Sequence, residues 1–408
     1  MDVVFISPHY PAEMPHFLRG LVEVGARVYG IADAPLSALS ADVKRHLTAY
    51  LQVPGILDED DVITRATDWL RGRNVDLVLA NWEPVMLLAA RMNERWGLVS
   101  DNIMTVDAVR GFRDKRLMKE RVEAHGLRVP RSVRVKTAAE AREAVRVVGL
   151  PLVIKPIAGA GSADTFKVDD EASLDLVLPL LTNVPEAIVE EYVEGEELTY
   201  DALVVGGEPV YENVVQYFPK PIISRSEEAV SPAQVAIADL SQARLAPGLE
   251  LGRGVLKALG MKDGFVHMEW YLTPGGDAVF GEIACRAGGA KLVDMMNWAS
   301  DIDLYREWAR VVCHREFQAH APRRYNVGVV FKRARGQGVV RRVEGLDDFL
   351  RAHAQNVVED TIFRPGTPRR DWKQTLLSDG FIAFRHEDQD TVMALVREAV
   401  DTIVLHAR

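Results

Sequence analysis

Two short apolar segments, about two-thirds of the way along the chain, each carry one carboxylate. The first reads Gly264-Phe265-Val266-His267-Met268-Glu269-Trp270-Tyr271. After Pro274-Gly275-Gly276 the second reads Phe280-Gly281-Glu282-Ile283-Ala284-Cys285-Arg286-Ala287-Gly288-Gly289. Apolar runs flanking a tight turn predict a β-hairpin, with Glu269 and Glu282 near the middle of neighbouring strands. A charge is costly to bury unless something pairs with it, and two adjacent carboxylates also repel each other. A hard divalent cation with oxygen ligands meets that demand. Arg286 follows Glu282 by four residues, just before Gly288-Gly289. A metal pair, an arginine and a flexible loop together point to chemistry on a phosphate. The plain alternative is a solvated pair of acids on an open sheet face; the apolar setting and Arg286 favour the metal.

Three other segments carry weaker signals. Lys155 ends the apolar run Leu152-Val153-Ile154-Lys155-Pro156, and Ala158-Gly159-Ala160-Gly161-Ser162 follows. Such a lysine can hold phosphate as a point charge while loop amides cradle its oxygens. A solvated strand-end lysine beside an ordinary loop is the bland reading. GxxxxGK[ST] is absent, so this is not a P-loop. Lys115 lies in Phe112-Arg113-Asp114-Lys115-Arg116-Leu117-Met118-Lys119-Glu120, which by itself reads as the wet face of a helix. Ile188-Val189-Glu190-Glu191-Tyr192-Val193-Glu194-Gly195-Glu196-Glu197 runs from an apolar strand into clustered acids. One acid there could bond a ribose and the backbone could read a base edge; an acidic surface turn is the simpler reading.

These residues must be held by a chain of 408 residues, too long for one ordinary core, so two or three domains are expected. The formal charge of −10 implies no broad basic surface and argues against nucleic acid as partner. Two cysteines, Cys285 and Cys313, form no framework, which suits a reduced, cytoplasmic protein. Met1-Asp2-Val3-Val4-Phe5-Ile6 reads as a first core strand, and no apolar run approaches a membrane span.

Apolar strands alternate with amphipathic helices over the first hundred residues: strands at 3–6, 27–32 and 75–80, helices at 17–24, 62–71 and 86–96. That pattern predicts a parallel α/β domain over 1–110. Ligands sit at the carboxyl ends of such strands, where Ser7-Pro8-His9-Tyr10 and Asn81-Trp82-Glu83-Pro84 fall. A second region, 111–320, opens with a charged helix at 113–125. Strands follow at 152–156, 165–168, 187–192 and 197–205, then a polar loop at 219–232, a helix at 245–259 and the hairpin. From 321 to 408, strands at 326–332, 338–343 and 380–385 and helices at 346–354 and 390–405 predict an α+β lobe.

The order is more specific than any single element: lysine helix, strand-end lysine, glycine loop, acid-rich hinge, then a Glu…Glu hairpin with arginine. That order resembles the ATP-grasp superfamily along essentially the whole chain, and most closely its carboxylate–amine ligases, the L-amino acid ligases among them. The resemblance implies an ATP-grasp fold of α/β and α+β parts: an N-terminal parallel α/β domain, a central ATP-grasp domain and a C-terminal α+β lobe. It assigns Lys115 and Lys155 to the ATP phosphates, and Gly159, Ala160, Gly161 and Ser162 to the loop over them. Glu190 and Val193 fall to adenine, Glu197 to the ribose, and Glu269 and Glu282 to Mg²⁺ or Mn²⁺. Arg286 falls to the acyl phosphate. The implied reaction joins a small-molecule carboxylate to an amine, one of them an amino acid, with ATP as co-substrate. Alternatives are a biotin carboxylase-like or purine-biosynthetic carboxylase, and an ATP-binding regulatory protein without turnover. One position departs from the pattern. Ala284 stands where relatives often carry a metal-binding Asn, so ligation would rest on two glutamates, phosphate oxygens and water. His9, Glu83, Arg225 and His267 are candidates for substrate, Glu83 for an ammonium group and Arg225 for a carboxylate. For each, a structural role is an equal reading. Dimers are usual among enzymes of this kind.

Overall fold

The computed structural model describes residues 1–156, 166–181, 184–320 and 322–408. It begins with four parallel strands in the order Ala49–Gln52, Arg27–Ala32, Asp2–Ile6, Leu77–Leu79. The first of these had no clear periodic signal and was not expected. Val3 to Ile6 are wholly buried, as a strand covered on both faces requires. The helix Met14–Glu23 lies against the helix Leu304–His314. Phe17 meets Tyr305 and Trp308 edge-on at centroid separations of 4.9 Å each. Such pairs add about 0.5–1.5 kcal/mol beyond the area they bury. Gly20 permits the approach, because a Cβ there would stand 2.5 Å from the Tyr305 carbonyl oxygen. The N-terminal sheet is thereby fastened to the body that carries the hairpin.

That body is one eight-stranded antiparallel sheet in the order Ala278–Ala284, Gly264–Leu272, Glu196–Val205, Glu208–Phe218, Ala233–Ala236, Asn326–Phe331, Phe381–His386, Val357–Asp360. Three strands from beyond residue 321 therefore continue the sheet begun by the hairpin. The helix Ala246–Leu259 packs under it, and Trp270 fills the space that the absent Gly248 side chain leaves.

A smaller antiparallel sheet, Ser132–Val135, Ala187–Glu191, Leu152–Pro156, Phe166–Val168, faces the large one. The helices Ala138–Val148 and Glu171–Val177 share its core. Two expectations need correction. The segment 219–232 is not loop throughout: Pro221 starts the short helix Pro221–Ser226, as proline favours a first helical turn. The last helix, Gln389–Thr402, stops before Leu405, and Val404–Ala407 leaves as a strand against Val340–Glu344. Tertiary pairing there overrides a helical periodicity.

Candidate active site

Alternation along Gly264–Leu272 places Met268, Trp270 and Leu272 in the core and His267, Glu269 and Tyr271 on the other face. Glu282 faces the same way because the partner strand bulges. Glu269 pairs with Glu282 while Trp270 pairs with Phe280, leaving Gly281 as the extra residue. A Cβ on Gly281 would lie 2.7 Å from the Glu269 carbonyl oxygen, so the bulge suits glycine.

The face opens onto a cleft of about 1160 Å³ between the two antiparallel sheets. Lys115, Lys155, Glu269, Glu282, Arg286, His267, Glu83 and Arg225 all wall it. Eight of the residues singled out from sequence thus converge. His9 does not line it; its half-buried ring has an Nδ1 with no partner among the described residues, and burial lowers its pKa. Gly159, Ala160, Gly161 and Ser162 lie outside the described residues.

Lys115 opens the helix Lys115–Ala124, which Asp114 caps by accepting from the amides of Arg116 and Leu117. Its Nζ stands 2.6 Å from Glu282 Oε2. Lys155 Nζ donates to Glu190 Oε1 at 3.0 Å, and Lys119 donates to the other oxygen of the same carboxylate. Burial opposes the charge on Glu190, but Lys155 and Lys119 outweigh it and hold this carboxyl at about 2. Lys119 was not singled out from sequence. Its spacing of four from Lys115 on one helix was the available signal, since such residues share a face. Val193 is buried beside this hinge.

Burial raises the pKa of Glu269, and the charge of Glu282 adds to it. Burial also acts on Glu282, yet Lys115 and Lys155 together draw it below the usual range. Glu197, paired in register with Tyr271, is 7 % exposed; burial and then the Glu269 charge push it to about 8. Three carboxylates therefore share a region in which, among the described residues, only Glu282 has a lysine partner, and this is the setting that a hard cation fits. Among the described residues no three His, Cys, Asp or Glu form a metal cluster. Protein ligation would come from the Glu269 and Glu282 oxygens alone. Ala284 lies opposite His267 in the ladder.

His267 Nδ1 lies 2.7 Å from Asp201 Oδ1. Asp201 in turn accepts from Thr199 Oγ1 at 2.7 Å and from Asn213 Nδ2 at 3.3 Å. Burial lowers the His267 pKa, but the Asp201 charge more than reverses it. Arg286 donates from Nε to Glu83 Oε2 at 2.9 Å, its Nη2 makes an ion-pair contact with the same oxygen at 2.6 Å, and Arg113 pairs with the other Glu83 oxygen. Two guanidiniums thus meet the oxygens of Glu83, the residue expected to take an ammonium group.

Residues 112–218 match the family model of the ATP-grasp domain. The L-arginine-specific L-amino acid ligase of Bacillus subtilis is 26% identical over 213 residues, 50% of each chain. The chain spans about half the length of the curated relatives it matches. The crystal structure of an L-amino acid ligase from Bacillus licheniformis superposes with a TM-score of 0.78 at 18% identity, over 100% of this chain and 98% of that one. N5-carboxyaminoimidazole ribonucleotide synthetase from Thermotoga maritima gives 0.73 at 16% identity, over 100% and 99%. The protein carries an ATP-grasp domain and has the ATP-grasp fold. No helix among the described residues is long and apolar enough to cross a membrane.

Proposed function

We propose that the protein is an ATP-dependent carboxylate–amine ligase that activates a carboxylate as its acyl phosphate, releasing ADP, and passes the acyl group to an amine as inorganic phosphate leaves. The observation that carries this reading is the convergence of Glu269, Glu282, Lys115, Lys155 and Arg286 on one cleft between two sheets. The similarity to an L-amino acid ligase supports an amino acid as one substrate.

A carboxylate oxygen attacks the γ-phosphorus and the bond to ADP breaks. Positioning and charge neutralisation supply most of the acceleration in such a transfer. Lys115 and Lys155 neutralise phosphate oxygens as point charges, and Lys119 keeps Glu190 paired when Lys155 turns to the nucleotide. Glu190, Val193 and Glu197 border the adenosine end. A Mg²⁺ or Mn²⁺ ion held by Glu269 and Glu282 supplies charge neutralisation on the phosphates. Arg286 then faces the acyl phosphate and the oxyanion that forms when the amine attacks, a planar fork suited to oxygens. Glu83 keeps that fork oriented until substrate arrives.

Phosphate release from ATP, measured with amino acids singly and in pairs and with bicarbonate, tests the reading. Release that requires two amino acids supports it. Release that requires bicarbonate assigns the site to a carboxylase instead, and nucleotide binding without release under any condition removes the ligase.

A further inference from the structure

The cleft extends past the hairpin, along the sheet, to a wall that the proposed chemistry leaves unused. Tyr217 and Gln234 stand opposite each other in the ladder between Glu208–Phe218 and Ala233–Ala236, and both line the cleft. Arg333, two residues beyond Asn326–Phe331, lines it as well. Arg333 is 8 % exposed. Its Nη1 donates to the Ser224 and Glu227 carbonyl oxygens at 2.8 and 3.0 Å, and its guanidinium lies over the Trp372 ring at 4.5 Å. Its Nε is buried without a partner, and no carboxylate pairs with it among the described residues. The nearby acids Glu228 and Asp379 are both taken by Arg369, at 2.9 and 3.1 Å. Gln234 is 7 % exposed, and its Oε1 is buried without a donor among the described residues.

A buried guanidinium without a direct ion-pair partner is expensive, and so is a buried carbonyl oxygen without a donor. Arginine normally meets a carboxylate through its planar fork when buried. Two such groups of opposite hydrogen-bonding sense on one cleft wall call for a ligand that supplies both an anion and an N–H.

We propose that Arg333 and Gln234 form a substrate subsite that takes a carboxylate other than the one activated, Arg333 pairing with it and Gln234 Oε1 accepting an N–H of the same molecule. The substrate class is an amino acid or short peptide with a spare carboxylate. The proposal rests on the ligase reading for the word substrate, but the subsite itself is a binding site and is tested as one. Burial and the neighbouring Arg225 hold the Arg333 guanidinium down at about 10 against the opposing charges of Glu228 and Asp379, and it stays protonated at neutral pH.

Equilibrium binding to the nucleotide-loaded protein tests it, with L-glutamate against L-glutamine, L-aspartate against L-asparagine, and dipeptides against their C-terminal amides. At least one acid should bind about tenfold or more tightly than its amide, the worth of a hydrogen bond to a charged group. Arg333→Gln should bring that ratio to near one, and Arg333→Lys, which keeps the charge, should retain part of it. Gln234→Leu should weaken the acid and leave Arg333 in place. A merely structural role for Arg333, through its grip on residues 224 and 227, would weaken acid and amide alike and leave the ratio unchanged. Equal binding of every acid and its amide to the unaltered protein, or no binding of any of them, overturns the proposal, even if Arg333→Gln fails to fold. Loss of the ligase reading shows separately, as absent phosphate release.

Discussion

Glu83 Oε2 accepts a hydrogen bond from Arg286 Nε at 2.9 Å and makes an ion-pair contact with Nη2 of the same guanidinium at 2.6 Å, across 203 residues of sequence. The contact ties a loop of the N-terminal parallel sheet to the residue that follows the hairpin. Arg113, just before the lysine helix, takes the other Glu83 oxygen. One carboxylate thus gathers three parts of the chain around the cleft. Glu83→Ala should lower kcat by about tenfold or more, because a 1 Å misplacement of a charge-stabilising group is costly. Stability should fall by only about 1 kcal/mol, since the pair is partly solvated, and ATP affinity should stay within about twofold. Steady-state phosphate release, nucleotide titration and thermal unfolding measure the three, and an unchanged kcat would show that Arg286 needs no orienting partner.

Lys155→Ala and Glu282→Ala should each lower turnover by about a hundredfold or more while unfolding stays cooperative. Near-normal turnover in either variant would remove it from the phosphate and metal site. Glu269→Gln should raise the Mg²⁺ concentration for half-maximal activity by about tenfold, and chelation should stop phosphate release until Mg²⁺ is restored.

The Glu190 carboxyl titrates at about 2 in the folded chain against an ordinary 4.5. A depressed folded pKa stabilises above the unfolded value, and the contribution is lost as pH falls from 4.5 towards 2. Its full size is on the order of 3 kcal/mol. Glu190→Gln should therefore flatten the dependence of unfolding free energy on pH between 4.5 and 2. Denaturant titrations across that range measure it, and an unchanged slope would mean that Lys119 and Lys155 do not hold the charge.

Gly281→Val should force Cβ into the Glu269 carbonyl, at 2.7 Å. The bulge must then shift, for about 1–3 kcal/mol, and Glu282 must turn from the cleft. Activity should fall by more than stability alone explains when both are measured below the melting transition. Full activity would show that the bulge does not place Glu282.

Much of the fold was legible because burial on both faces leaves continuous apolar runs, as in Asp2–Ile6, and because Glu269 and Glu282 stand out as charges inside such runs. The strand Ala49–Gln52 was not legible, being half-buried and short, nor was the long strand Glu208–Phe218, whose Glu212 and Asn213 interrupt the apolar pattern. Glu212 turns outward to Arg253, while buried Asn213 meets Asp201 and Arg323, so only the neighbours explain them.

Residue types and their order by themselves determined the alternation of the N-terminal sheet, the hairpin, its two carboxylates and the lysines that would serve them. Those features are local, set by periodicity and by the cost of isolated charge. The tertiary structure alone decided which charges are spoken for. Glu83 meets arginines, Glu190 meets two lysines, and Arg333 has no carboxylate ion-pair partner among the described residues, because pairing depends on distances across folded sheets that no spacing along the chain encodes.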